Sequence, residues 1–159
     1  MEGTAKPEIS LMDAVLKGKV EIVREHITVG TKLDEPDPKS GSTALNAAAT
    51  FGQTEAALML IENGADLEVQ NNEGSTALIT AAFFCRTEIV KALLGKGAER
   101  GAKNNAGATA LDSVAGPFDE IKPVYDLLQG ILGPAGLKLD YQRIEATRPK
   151  IAEILKHEK

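Results

Sequence analysis

The chain has 159 residues, of which 43% are hydrophobic and 4% aromatic, with no tryptophan, one cysteine and a formal net charge of −5. That length fits one domain, and the acidic balance argues against nucleic acid or an anionic membrane as the main partner, because both demand a basic surface. One cysteine excludes an internal disulfide, and no apolar run approaches the roughly 18–20 residues of a membrane span.

In chain order, residues 1–9 read as a loose leader, and Met1-Glu2-Gly3-Thr4 has no signal-peptide character. Ser10 to Gly18 reads as a short helix with Leu11, Ala14 and Val15 apolar, and Val20 to Ile27 as a second one ending before Gly30. The loop Glu35-Pro36-Asp37-Pro38-Lys39-Ser40 is stiffened by two prolines. Residues 41–73 and 74–106 are then one pattern written twice, at an offset of 33, with 15 of the 33 aligned positions identical. Such a period is the signature of stacked repeats, each of which buries its apolar face on its neighbours.

Each copy carries its own structural instructions. Gly41-Ser42-Thr43 and Gly74-Ser75-Thr76 give a turn followed by a helix N-cap threonine. Small residues around Ala48-Ala49 and Ala81-Ala82 make a first helix that neighbours can approach closely. Gly52 breaks it, and Ala56, Ala57, Leu60 and Ile61 form the apolar stripe of a second helix, stopped by Gly64. Gly97 stops the matching helix one period later.

The combination of Gly-x-Thr-x-Leu, Ala-Ala, and a second helix ending Leu-x-x-x-Gly-Ala resembles the ankyrin repeat at its 33-residue length. Thr43, Leu45, Ala48, Ala49, Gly52, Gly64 and Ala65 fall on the motif, as do Thr76, Leu78, Ala81, Ala82, Leu93, Leu94, Gly97 and Ala98. Two features depart from it. The family's Pro-Leu-His after the threonine is Ala44-Leu45-Asn46 and then Ala77-Leu78-Ile79, which weakens the local rigidity expected there, and the turn glycine of the second copy is Cys85. The resemblance implies an all-α fold: an ankyrin-repeat solenoid of about four helix–turn–helix repeats with a degenerate helical C-terminal cap.

The expected divisions are a capping repeat at 10–40, full repeats at 41–73 and 74–106, a repeat at 107–140 with an insertion at 116–123, and a C-terminal helical cap at 141–159. The fourth copy opens on schedule with Gly107-Ala108-Thr109-Ala110-Leu111 and a helix through Asp112, Val114 and Ala115. Its second helix is expected to resume near Val124 and run through Tyr125, Leu127, Leu128, Ile131 and Leu132. Asp140 reads as an N-cap for a short helix to Thr147, and 148–155 aligns with 86–93, so 141–159 reads as a degenerate fifth hairpin with Gln142, Arg143, Lys150, Glu153 and Lys156 on its outer face.

No catalytic, metal or cofactor constellation stands out, so the chain reads as non-enzymatic and cofactor-free. His26 and His157 sit near the ends of second helices and read as polar groups there. With one cysteine, no Cys/His zinc set can be assembled, and Cys85 reads as a small filler of a tight turn. The glycine-rich run 95–101 lacks the Gly-Lys-Ser/Thr of a phosphate loop. Asp34, Glu35 and Asp37 lack the calcium-loop pattern and read as a solvated acidic loop. The single cysteine favours a cytoplasmic location, with a periplasmic or secreted one open if a native signal segment has been removed.

What remains is surface. The resemblance implies that turn tips and the exposed side of the first helices line a concave face that holds a protein partner. Register puts Gln70, Asn72, Glu73 and Ser75 on one tip and Lys103 and Asn105 on the next. Phe51, Phe83 and Phe84 follow the Ala-Ala pairs, where solvent exposure is expected. Phe51 and Phe84, one period apart, are expected to stack about 10 Å apart as an aromatic ridge, each more than a quarter exposed. The expected function is therefore binding of a protein by a monomeric chain. The alternatives are an accessory or inhibitory subunit of an enzyme, a self-associating structural module, and small-molecule binding near 116–136 with Phe118, Tyr125 and Asp119 as a wall.

Overall fold

The structure, a computed structural model, describes residues 5–156. The first four leader residues and His157 lie outside the described residues.

Among the described residues the secondary structure is helical throughout. The helices are α1 (Leu11–Leu16), α2 (Val20–Thr28), α3 (Ala44–Phe51), α4 (Thr54–Glu62), α5 (Ala77–Phe83), α6 (Thr87–Gly95), α7 (Asp112–Ala115), α8 (Phe118–Leu132) and α9 (Tyr141–Lys156), with a 3-10 turn at Gly133–Ala135. They form two layers. In one, α1, α3, α5 and α7 pack side by side; in the other, α2, α4, α6 and α9 do. The all-α repeat solenoid expected from the 33-residue period is thus the observed fold.

The caps explain where first helices begin. Thr43 and Asn46 form a reciprocal box: the Asn46 amide donates to Thr43 Oγ1 (3.2 Å), and the Thr43 amide donates to Asn46 Oδ1 (2.9 Å). Asn46 is buried, so its side chain closes a helix end that the missing proline and histidine left in question. Thr109 and Asp112 repeat the box, and these bonds hold the Asp112 carboxyl below its usual range. In the second copy Ile79 stands at that position, is buried, and leaves only the Thr76 hydroxyl to cap.

Turns between the helices of a hairpin need a left-handed residue. Gly18 and Gly52 supply it in the first two hairpins, and Cys85 supplies it in the third, with φ +57. Cys85 is fully buried, as a small turn-filler should be, and burial pushes its thiol pKa up to about 11.

The fourth hairpin departs from expectation in three ways. Its second helix is α9, not the 124–132 segment: α9 packs on α7 and α6, and it buries Ile151, Ala152 and Leu155 just as α6 buries Ile89, Val90 and Leu93. Residues 148–155 thus match 86–93 in their buried apolar positions, and α9 completes the fourth hairpin instead of forming a fifth. It runs as one helix through Pro149, which is exposed, so the hydrogen bond it cannot make faces solvent. Finally, α8 starts at Phe118, six residues before Val124, because Asp119 and Glu120 suit the positive end of a helix.

Candidate protein-binding face

The loop tips are stitched to each other one period apart. The Asn72 amide donates to Ser40 O (2.9 Å) and its side chain to Lys39 O (2.7 Å). The Asn105 amide donates to Glu73 O (2.9 Å) and its side chain to Asn72 O (2.8 Å). Gln70 Nε2 bridges Gly74 O and Lys103 O, at 2.8 and 3.0 Å. These rungs satisfy tip carbonyls that would otherwise face water alone. They also demand glycine beneath them: a Cβ on Gly74, at φ +78, would stand 2.4 Å from Asn105 Oδ1.

Three of the expected site residues, Gln70, Asn72 and Asn105, therefore build the tips with their amides. All three are still exposed, as are Glu73 and Lys103, while Ser75 is half-buried. Asp37, Gln70 and Lys103 occupy one position in successive copies, so the row runs from negative through neutral to positive. Ser40 donates to the Asp37 carboxylate through its amide and hydroxyl, which lowers its pKa. In the same acidic loop, Asp34 accepts a bond from the Asp66 amide, a further tie between repeats.

The aromatic ridge is corrected. Phe84 is 5% exposed, not a quarter, and belongs to the core. The Phe83 ring meets it edge-on at 5.0 Å, Tyr125 of α8 lies at 6.5 Å, and the Arg86 guanidinium lies over its ring at 5.6 Å. Phe83 is half-buried and stacks on Tyr125 at 4.5 Å. Phe51 is half-buried and packs against the core without joining these rings. The aromatic contacts run from α5 outward through Tyr125 to Phe118 and Tyr141, across the inserted helix instead of along the repeats.

Sequence reasoning missed a set of arginines. Each hairpin leaves the carbonyls at the end of its first helix unpaired. Arg86 donates to Ala49 O (3.1 Å) and Thr50 O (2.6 Å) at the end of α3. Arg143, expected on the outer face, instead turns inward to Cys85 O (2.7 Å) and Phe84 O (3.1 Å) at the end of α5. Arg148 is 4% exposed and reaches Ser113 O (2.9 Å), Gly116 O (3.0 Å) and the Tyr125 hydroxyl (3.1 Å), which itself donates to Phe83 O. Arg100 binds Ile154 O and Leu155 O at the end of α9. Burial, with the neighbouring Arg143 charge, brings the Arg86 pKa down to about 10. Arg86 and Arg148 align in sequence, and that recurrence was the available signal. His26 is likewise structural: it is fully buried, donates from Nε2 to Ile9 O, and accepts at Nδ1 from the Thr31 hydroxyl.

A small-molecule wall at 116–136 finds no support. Phe118 and Tyr125 stack on each other at 5.9 Å and fill that interior. Two open surface clefts lie elsewhere, one beside Arg86 and Arg143 and one beside Leu11, Thr31 and Pro36.

Comparison with known proteins agrees with the geometry. A search of curated proteins returned no match in sequence. Among solved structures, the ankyrin repeat domain of Bcl-3, described as a unique member of the IkappaB protein family, is 29% identical with a TM-score of 0.62. The similarity covers 65% of this chain and 45% of that one, so the chain spans under half the length of the structure it resembles. The family model for ankyrin repeats in three copies matches residues 11–112, well over half of the sequence. Sequence period, two-layer stack and family match agree, and the chain belongs to the ankyrin repeat family.

Proposed function

We propose that the chain is a non-catalytic, monomeric binding module that holds a partner protein on the face formed by its loop tips and first helices. Ankyrin repeats are generally protein-interaction modules, and that family membership is the starting point. The observation that carries the finer reading is the tip row. Exposed side chains of differing charge stand at fixed intervals on loops that backbone and amide rungs hold in place. Side chains held this way lose little entropy on binding, which favours recognition. Glu73 and Lys103 supply the charges, with Gln70, Asn72, Ser75 and Asn105 around them and half-buried Phe51 and Phe83 at the far ends of the first helices. Phe84 has no part in the contact surface.

The experiment places a photo-crosslinking residue at Glu73, at Lys103 and, as a control, at exposed Glu62 on α4. The expected result is capture of the same protein from both tip positions and not from Glu62, lost on Lys103→Glu in the Glu73 variant. Capture from Glu62 alone, or capture indifferent to Lys103→Glu, overturns the reading.

A further inference from the structure

Exposed aliphatic side chains gather in one place. Among the described residues the exposed large hydrophobics are Val124, Leu127 and Ile131, at 41, 62 and 60% exposure. All three lie on α8 at spacings of three and four, which makes them one stripe. The adjoining side of the same helix is also apolar: Tyr125 is buried, and Ile121, Leu128 and Leu132 pack against the core. The apolar arc of α8 runs unbroken from Leu127 through Val124 and Leu128 to Tyr125, and the core covers only part of it. The sequence pattern places Leu127 and Ile131 on the second helix of the fourth hairpin. Because α9 fills that layer, they are left facing outward.

The border of the stripe is acidic. Asp119 and Glu120 are exposed at its N-terminal end and take part in no ion pair among the described residues. The basic residue of α8, Lys122, is engaged with Asp126 at 2.9 Å, and Tyr141 donates to the same carboxylate at 2.7 Å. Area limits the occupant. The three side chains present on the order of 300 Å², against about 800 Å² per partner in a stable dimer. That is too little for a second copy, and it fits a single helix laid along α8 with anchors at one-turn intervals.

We propose that the outer face of α8 docks a basic amphipathic helix of a partner protein, with its apolar side on Val124, Leu127 and Ile131 and its Lys or Arg residues against Asp119 and Glu120. This face is carried by the inserted helix and is independent of the tip row.

The test uses the whole chain and two synthetic helical peptides with the same leucine stripe, one flanked by lysines and one by glutamates. Binding is followed by fluorescence anisotropy at low salt, where charge contributes most. The lysine peptide is expected to bind at least tenfold more tightly, and Leu127→Asp to weaken it tenfold or more with the circular dichroism unchanged. The double substitution Asp119→Lys/Glu120→Lys leaves the apolar stripe intact and is expected to reverse the preference, so the test does not hang on one variant. Equal binding of both peptides, binding of neither, or binding untouched by these substitutions overturns the proposal. So does a dimer in sedimentation that Leu127→Asp dissociates, or attachment to phosphatidylcholine/phosphatidylglycerol vesicles that Leu127→Asp abolishes.

Discussion

Repeats 41–73 and 74–106 begin their helices with local caps and are tied to each other over about one period, whereas α9 is tied to the stack over longer separations. In the first region Thr43, Thr76 and the turn glycines act within three or four residues of the helix end they serve. For α9, Arg143 crosses 58 residues to Cys85 and Arg100 crosses 54 to Ile154, against 37 from Arg86 to Ala49 within the repeats. A repeat in mid-stack has a copy of itself on each side, so its ties recur at the period. The fourth hairpin is closed by the buried Arg148 guanidinium and by an inserted helix that lays Tyr125 on Phe83 and Phe84.

The strongest way to break that comparison is Arg148→Ala. Removing a buried guanidinium takes the side-chain donor from Ser113 O and Gly116 O and one of two bonds from the Tyr125 hydroxyl. The expected loss is about 3 kcal/mol in urea unfolding. Arg86→Ala, half-buried with two bonds at α3, is expected to cost about half as much. Equal costs would mean that the C-terminal region is no more dependent on distant bonds than the repeats are.

The tips sharpen it next. A Cβ at Gly74 collides with Asn105, whereas one at Gly107, the same position one copy later, meets nothing within 4 Å. Both have φ near +80. Gly74→Ala is therefore expected to cost about 2 kcal/mol, from backbone strain plus a broken rung, and Gly107→Ala about 1, from strain alone. Matching unfolding midpoints for the two variants would refute the account of the tip ladder.

The smallest effect comes from pH. Burial raises the Cys85 thiol from 9.0 to about 11 and the Tyr125 hydroxyl from 10.0 to about 12. Between these values the folded chain holds protons that the unfolded chain has released, so stability falls as pH rises through that window. Below pH 8 the contribution is fully present. The expected loss attributable to Cys85 is about 1 kcal/mol at pH 10. Cys85→Ala is expected to remove the part that begins near pH 9 and leave the part that begins near pH 10. An unchanged pH profile in Cys85→Ala would show that the thiol is not buried at this junction.

Reading the sequence located the repeats, the caps and the tips because each rests on residues a few positions apart. The Thr43 cap, the Gly52 and Gly64 stops and the buried faces of α4 and α6 all follow from spacing. Phe84 escaped that logic, since its exposure depended on whether a residue 41 positions away would cover it, and Tyr125 does. Arg143 escaped it as well: an arginine on an amphipathic helix usually faces water, and here the open carbonyls of Phe84 and Cys85 drew it inward.

By itself, then, the sequence determined the period, the helical class, the stacking and the row of tip residues, because repetition makes every local preference agree with its neighbours. Only the tertiary structure decided which of α8 and α9 completes the fourth hairpin. Both helices are apolar enough to pack on α6. The choice falls to α9 because it brings Arg148 to the unpaired ends of α7 while Ile151, Ala152 and Leu155 fill the α6 groove. It leaves α8 outside, with Val124, Leu127 and Ile131 facing solvent.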